Sequence, residues 1–282
     1  MTELTRAQAY LLLERYGNQV KPEKLIMTPT VEAMLRHKSV RTFLSQALPD
    51  GAIETMVAVA QSASTSSALN QWSVVAVTDE ALKTEIHDTV AREVKVDRIP
   101  WMLEAPALLL WVADTSRSAA MTRDQGGDPF VLNYLDSFLM ASVDATLAAQ
   151  NAALAAESIG LGIVYLGVMR NIAKELAGII NLPEYAFVTF GMVVGHPDPN
   201  RTSAIRPRPA QPVVLHHNRY DRDGYRDYVE GYEEACQDFR NQQNMSPKTW
   251  KGALHHSMTS MEYMGGRKSL RAMVQEKGFE LL

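Results

Sequence analysis

The 282-residue chain has a single cysteine, Cys236. An intrachain disulfide, a four-cysteine zinc site and a cysteine-ligated iron–sulfur cluster are therefore excluded, and the sequence fits a reducing compartment. It also lacks an excess of positive charge, with 28 Lys and Arg against 32 Asp and Glu and a net charge of -4. Without a global positive field, nucleic acid and anionic lipid are not expected partners, and any basic site must be local. The uncharged stretch from Thr55 to Thr78 is long enough to span a bilayer, but Gln61, Ser62, Ser64, Thr65, Asn70 and Gln71 lie within it. A membrane span is rejected on that ground. The N-terminus scatters Arg6, Glu14 and Arg15 where a secretory signal needs an apolar core, so the expected location is cytoplasmic.

Catalytic signatures are scarce as well. Gly160-Leu161-Gly162 has Tyr165 where a dinucleotide fingerprint needs its third glycine, and it follows a helix instead of a strand. There is no Walker loop and no Gly-x-Ser-x-Gly elbow. His216-His217 and His255-His256 are adjacent pairs without a zinc-site carboxylate pattern, and surface histidine is the better reading. With no evident acid, base or nucleophile, chemistry would have to come from a bound cofactor.

What is present is ordinary folded-protein material, 46% hydrophobic and 21% charged, enough for one or two packed domains. Leu4 to Tyr16 reads as an amphipathic helix stopped by Gly17-Asn18, and Thr30 as the N-cap of a second helix. A third helix is expected from Pro49 to Gln61. Ser73–Thr78 and Ala107–Ala113 are apolar runs of strand length, as is Phe187–Val194, and Gly162–Gly167 is a short strand bounded by glycines. Val131–Ile159 is the longest helical stretch, rich enough in alanine to suggest packing on several sides. Five prolines from Pro197 to Pro212 predict an irregular excursion over a surface, followed by charged helices at 227–243, 249–264 and 267–277, with Gly278 as the last cap.

Two basic segments stand out. If His37-Lys38-Ser39-Val40-Arg41 is extended, His37, Ser39 and Arg41 project to one side and could share an anion; a solvated basic turn is the plainer alternative. In Arg206-Pro207-Arg208-Pro209 the prolines enforce extended geometry, so Arg206 and Arg208 should point the same way, either at an anion or into solvent. Ser64-Thr65-Ser66-Ser67-Ala68-Leu69-Asn70 can cap a helix end or line the polar rim of a planar ligand. The glycines at 162 and 167 allow close backbone approach to a flat ring or, alternatively, a tight turn at positive φ.

These motifs occur in an order that resembles the flavin-dependent nitroreductase superfamily, in its oxygen-insensitive nitroreductase A and NAD(P)H–flavin oxidoreductase branch. The resemblance rests on Met27-Thr28-Pro29-Thr30, His37 to Phe43, Ser64 to Ser67, Ala148 to Gly162, Val164-Tyr165-Leu166-Gly167, Arg170-Asn171 and Arg206-Pro207-Arg208-Pro209. It divides the chain into a helical extension (1–26), an FMN-binding core (27–196) and a proline-rich and helical C-terminal part (197–282).

The resemblance implies an α+β fold, a mainly antiparallel sheet flanked by helices in an intertwined homodimer with FMN at the subunit interface. His37, Lys38, Ser39, Arg41, Arg206 and Arg208 would hold the FMN phosphate; Ser64, Thr65, Ser66 and Asn70 would lie along the ribityl chain and ring edge; Tyr165, Leu166, Gly167 and Val168 would pass behind the ring. The implied reaction is ping-pong, NAD(P)H reducing the flavin and a small planar acceptor, a nitroaromatic, quinone or free flavin, taking two electrons. Alternatives are a flavin-sequestering protein with little turnover, favoured if the lengthened Ala91–Trp101 stretch covers the ring, or another flavin chemistry on the same fold. Ser246-Pro247-Lys248 precedes Thr249-Trp250 where relatives carry an arginine pair for the NADPH 2′-phosphate, so no strong preference for NADPH over NADH is expected.

Overall fold

The computed structural model describes residues 4–22, 24–95, 99–201 and 203–282. Its helices are α1 (Arg6–Tyr16), α2 (Pro29–Leu35), α3 (Ala52–Ala60), α4 (Glu80–Val94), α5 (Trp101–Glu104), α6 (Ser116–Asp124), α7 (Leu135–Ser158), α8 (Ala173–Ile179), α9 (Val229–Gln242), α10 (Trp250–Thr259), α11 (Met261–Met264) and α12 (Leu270–Gln275). Its strands are β1 (Phe43–Leu44), β2 (Trp72–Val77), β3 (Ala107–Asp114), β4 (Gly162–Leu166) and β5 (Ala186–Pro197). Two compact units form, each from two stretches of chain: Met1–Lys38 with Ser203–Tyr263, and Ser39–Thr202 with Met264–Leu282. They cut across the stretches 1–26, 27–196 and 197–282 read from the sequence.

The larger unit is built on an antiparallel sheet in the order β1-β5-β3-β2, with β4 also paired to β5. Strand β3 lies in its middle and all eight of its residues are buried, as its unbroken apolar run requires. One face of the sheet, with Leu109, Trp111, Met192 and Val194, packs against α3 and α7. The other, with Leu108, Leu110, Val112 and Val193, packs against Ile86 of α4, Met102 of α5 and Leu176 of α8.

Helix α7 is placed by its alanines. Ala141, Ala145, Ala148, Ala149, Ala152, Ala153 and Ala156 are fully buried, and side chains this small let the helix backbone come close to the strands. Its large apolar residues do the opposite: Leu135, Leu139, Val143 and Leu147 are 53%, 56%, 47% and 43% exposed. Their four-residue spacing makes one outward stripe. The expected packing on several sides is thus corrected within the chain, and the helix starts at Leu135, after a separate 3-10 turn at Phe130–Asn133.

In the smaller unit, α1 opens with a reciprocal capping box between Thr5 and Gln8. It ends at Gly17, whose φ of 61° and 3.0 Å Cβ distance to the Ala235 side chain leave little room for another residue. Helix α2 is capped two residues earlier than expected: Thr28, not Thr30, accepts from the Val31 N–H at 3.2 Å, because Pro29 fits the first helical turn. Among the described residues, no helix is long and apolar enough to cross a membrane.

Candidate functional site

The smaller unit contributes its basic residues on a backbone held by α1. Along the proline rail, Arg206 and Arg208 are exposed and Pro207 between them is buried, the alternation expected of extended chain; it stops at Ala210, which is buried. Its peptide groups find partners on α1 and the residues after it. The Arg208 N–H donates to the Arg15 carbonyl at 2.8 Å, Arg15 Nη1 donates to the Arg206 carbonyl at 3.0 Å, and Gln19 Nε2 donates to the Arg208 carbonyl at 3.0 Å. The Ala210 N–H returns a bond to Gln19 Oε1 at 3.1 Å.

Arg15 also reaches the other basic segment. Its Nη2 donates to the carbonyls of Leu35 and His37, at 2.7 Å each. One guanidinium thereby ties the segment carrying His37 and Lys38 to the rail carrying Arg206 and Arg208. Burial and the neighbouring Cys236 push the Tyr232 hydroxyl up to about 12, against the lowering fields of Arg208 and Arg206. Arg206 lies over the Phe239 ring at 5.4 Å, within range of a cation–π attraction, and borders a cavity of about 110 Å³ that Cys236 and Lys248 also line. Burial raises the Cys236 thiol, so it is protonated at neutral pH and offers no thiolate. Arg240, in the same cavity wall, donates through Nε to the Ser246 carbonyl at 2.8 Å.

The larger unit holds the remaining sequence-predicted residues. Ser39 forms a parallel bridge with Ile163, and the Val40 N–H donates to the Ile163 carbonyl at 2.9 Å. Val40 is buried and Arg41 exposed. A Cβ at Gly162 would stand 2.6 Å from Val40 Cγ2, so close approach at this glycine serves the Val40 side chain, and neither Gly162 nor Gly167 has a positive φ. Further along, Tyr165 is half-buried edge-on against Phe190 at 5.5 Å, and burial holds its hydroxyl well above the usual tyrosine range. Leu166 points into the core. Gly167 and Val168 are half-buried, and a Cβ on Gly167 would meet the Arg170 guanidinium at 3.1 Å.

The serine loop is organised from below by a residue with no place in the sequence reading. Asp144 of α7, 2% exposed, accepts from Thr65 Oγ1 at 2.5 Å, the Ser66 N–H at 3.0 Å and the Gln71 N–H at 3.2 Å. Thr65 Oγ1 in turn accepts from the Asn70 N–H at 2.9 Å. Ser67, Ala68 and Asn70 all adopt positive φ, at 49°, 57° and 51°, a conformation that non-glycine residues hold only when surrounding contacts impose it. The Thr65 hydroxyl is thus engaged on both sides within the protein, while Ser64, Ser66 and Asn70 are exposed.

Of the lengthened stretch Ala91–Trp101, α4 continues to Val94, and residues 96–98 lie outside the described residues. Sequence reasoning missed Arg15, Gln19 and Asp144; the available signals were an arginine on the Leu11–Leu12 side of α1 and a carboxylate in an alanine-rich helix. The smaller unit offers the exposed guanidinium groups of Arg206 and Arg208 and the half-buried His37 and Lys38; the larger unit offers the exposed hydroxyl and amide groups of Ser64, Ser66 and Asn70. That chemistry fits a phosphate dianion carried on a polyhydroxyl chain, as in FMN. Among the described residues no cluster of His, Cys, Asp and Glu could hold a metal ion.

Comparison with known proteins agrees along nearly the whole chain. The model of the Nitroreductase family matches residues 34–196, and that of the Nitroreductase family C-terminal domain matches 206–282. A Bacillus subtilis protein named FMN reductase (NADPH) is 31% identical over 258 residues, covering 90% of this chain and 99% of its own. The structure of NfrA2 from Bacillus megaterium superposes with a TM-score of 0.82 at 27% identity, over 91% of this chain and all of that one. The NADPH:FMN oxidoreductase of Vibrio harveyi, solved with NAD+, gives 0.75 at 28% identity over 90% and 99%. With a family model matching more than half its length and a relative 31% identical over 90% of the chain, the chain belongs to the nitroreductase family.

Proposed function

We propose that this protein is an FMN-dependent NAD(P)H oxidoreductase that reduces small planar acceptors, nitroaromatics, quinones or free flavin, by a ping-pong route. The observation that carries the reading is the Arg15 guanidinium joining the His37 segment to the Arg206–Arg208 rail, which gathers cations in a net acidic chain. The names of the Bacillus subtilis and Vibrio harveyi relatives, an FMN reductase and an NADPH:FMN oxidoreductase, support it.

In this reading His37, Lys38, Arg206 and Arg208 bind the phosphate, and the family resemblance adds Ser39 and Arg41 as donors. Ser64, Thr65, Ser66 and Asn70 form the polar border for the ribityl chain and ring edge, Thr65 acting through its hold on the loop. Tyr165 to Val168 supply the backing of the ring. When bound, the flavin supplies two-electron hydride chemistry, which is why no protein nucleophile is needed. The chain's own work is to orient two flat reactants and to shield the reacting face from water.

The outward stripe Leu135, Leu139, Val143 and Leu147 supports a homodimer, since a contiguous apolar face of this kind is characteristically covered by a partner. The single cysteine fits a cytoplasmic protein. Absorbance spectroscopy tests the proposal. Protein loaded with FMN and desalted should keep a yellow spectrum that NADH or NADPH bleaches and a nitrofuran or quinone restores at one equivalent per flavin. Loss of all flavin on desalting would refute it, and bleaching without acceptor turnover would favour sequestration.

A further inference from the structure

We infer that Arg15 and Gln19 are positioning residues for the phosphate site, acting through the backbone of the residues that grip the anion. The inference rests on the FMN reading above and assigns a role to a segment outside both matched family regions, which begin at residues 34 and 206.

An extended rail normally satisfies its peptide groups by pairing with a neighbouring strand. Here the pairing comes from the end of a helix and the turn that follows. The Gln19 carboxamide donates to the Arg208 carbonyl and accepts from the Ala210 N–H, at 3.0 and 3.1 Å, as a peptide unit of an adjacent strand would. The Arg15 backbone carbonyl takes the Arg208 N–H and its guanidinium takes the Arg206 carbonyl. The opposite edge of the same guanidinium takes the carbonyls of Leu35 and His37.

Two consequences follow from chemistry. The carbonyls of Arg206, Arg208 and His37 are fixed toward α1, which sets the path of the backbone from which the anion-binding side chains depart. Second, the planar fork of Arg15, 7% exposed, spans two separate chain segments at a set distance, which a lysine ammonium cannot do. Arg15 and Gln19 therefore select for the phosphate and leave the affinity for the isoalloxazine largely alone.

The test compares FMN with riboflavin, which lacks the phosphate, by quenching of flavin fluorescence on titration with the full-length apoprotein. The wild type should bind FMN more tightly by at least about a hundredfold, the scale of two charge-assisted contacts. Arg15→Lys and Gln19→Leu should each narrow that ratio by about tenfold or more while riboflavin affinity changes less than about twofold. Far-ultraviolet dichroism and thermal melting identify a variant that has lost its fold, and Gln19→Leu carries the test if Arg15→Lys does so. Equal weakening of both ligands, or an unchanged ratio in folded variants, overturns the role of α1. A wild type that does not distinguish FMN from riboflavin overturns the phosphate reading itself.

Discussion

Asp144 is a carboxylate kept inside an alanine-lined helix because it replaces water for the donors of a strained loop. Asp144→Ala leaves the Ser66 and Gln71 N–H groups and the Thr65 hydroxyl without their acceptor, which should lower stability by about 3 kcal/mol in urea unfolding. Asp144→Asn keeps one acceptor oxygen and should recover part of that loss. At Gly162 the cause is steric. Gly162→Ala drives a methyl into Val40 Cγ2, and a lower melting temperature, corresponding to about 1–3 kcal/mol, is expected. Residues of this kind divide by legibility. Arg206 and Arg208 could be read because proline dictates their alternation from neighbours in sequence. Asp144, Arg15 and Gln19 act on backbone groups of distant segments, and no local pattern announces such contacts.

The elements most easily read were those that bury every side chain or carry a regular stripe. Strands β2, β3 and β5 were found within a few residues, whereas α4 was not, although Leu82, Ile86, Val90 and Val94 recur every fourth residue behind the Asp79 cap; charged and threonine residues between them hide the stripe. On α7 the helical spacing is legible but not which face is packed, since alanine carries too little hydrophobicity to mark the buried side against the exposed Leu135, Leu139, Val143 and Leu147. The proposed homodimer predicts that placing two charges on the outward stripe, Leu139→Glu with Val143→Glu, lowers the mass in light scattering from two chains to one while leaving the helical dichroism in place.

The start of α10 carries a dependence on pH. Burial alone would raise the Glu233 carboxyl, but the Lys251 and Trp250 N–H groups it accepts from, at 3.0 and 2.8 Å, hold it below the usual glutamate range. A carboxyl lowered by folding stabilises the native chain above the unfolded value, about 4.3, and stops doing so as pH falls through the lowered one. The melting-temperature gap between wild type and Glu233→Gln should therefore be largest at neutral pH and close toward pH 3.

For the whole molecule, the interleaving of the units was not legible, because it depends on residues 1–38 and 203–263 meeting across the sequence. The motif order was legible and carried the family. Arg240 is engaged with the Ser246 carbonyl, leaving Lys248 as the cation before Thr249-Trp250. We expect kcat/KM for NADPH to exceed that for NADH by no more than about tenfold, one charge-assisted contact; a much larger ratio in steady-state kinetics would contradict this.

The borrowed pairing of the proline rail bears on how the protein would be shortened. A chain initiated at Met27 keeps every residue of both matched family regions, yet strips the partners from Arg206, Arg208 and Ala210 and leaves a bare ribbon of peptide donors and acceptors. Such edges template the addition of foreign strands. Trimming that looks harmless in an alignment would then yield a sticky product, visible as light scatter on concentration.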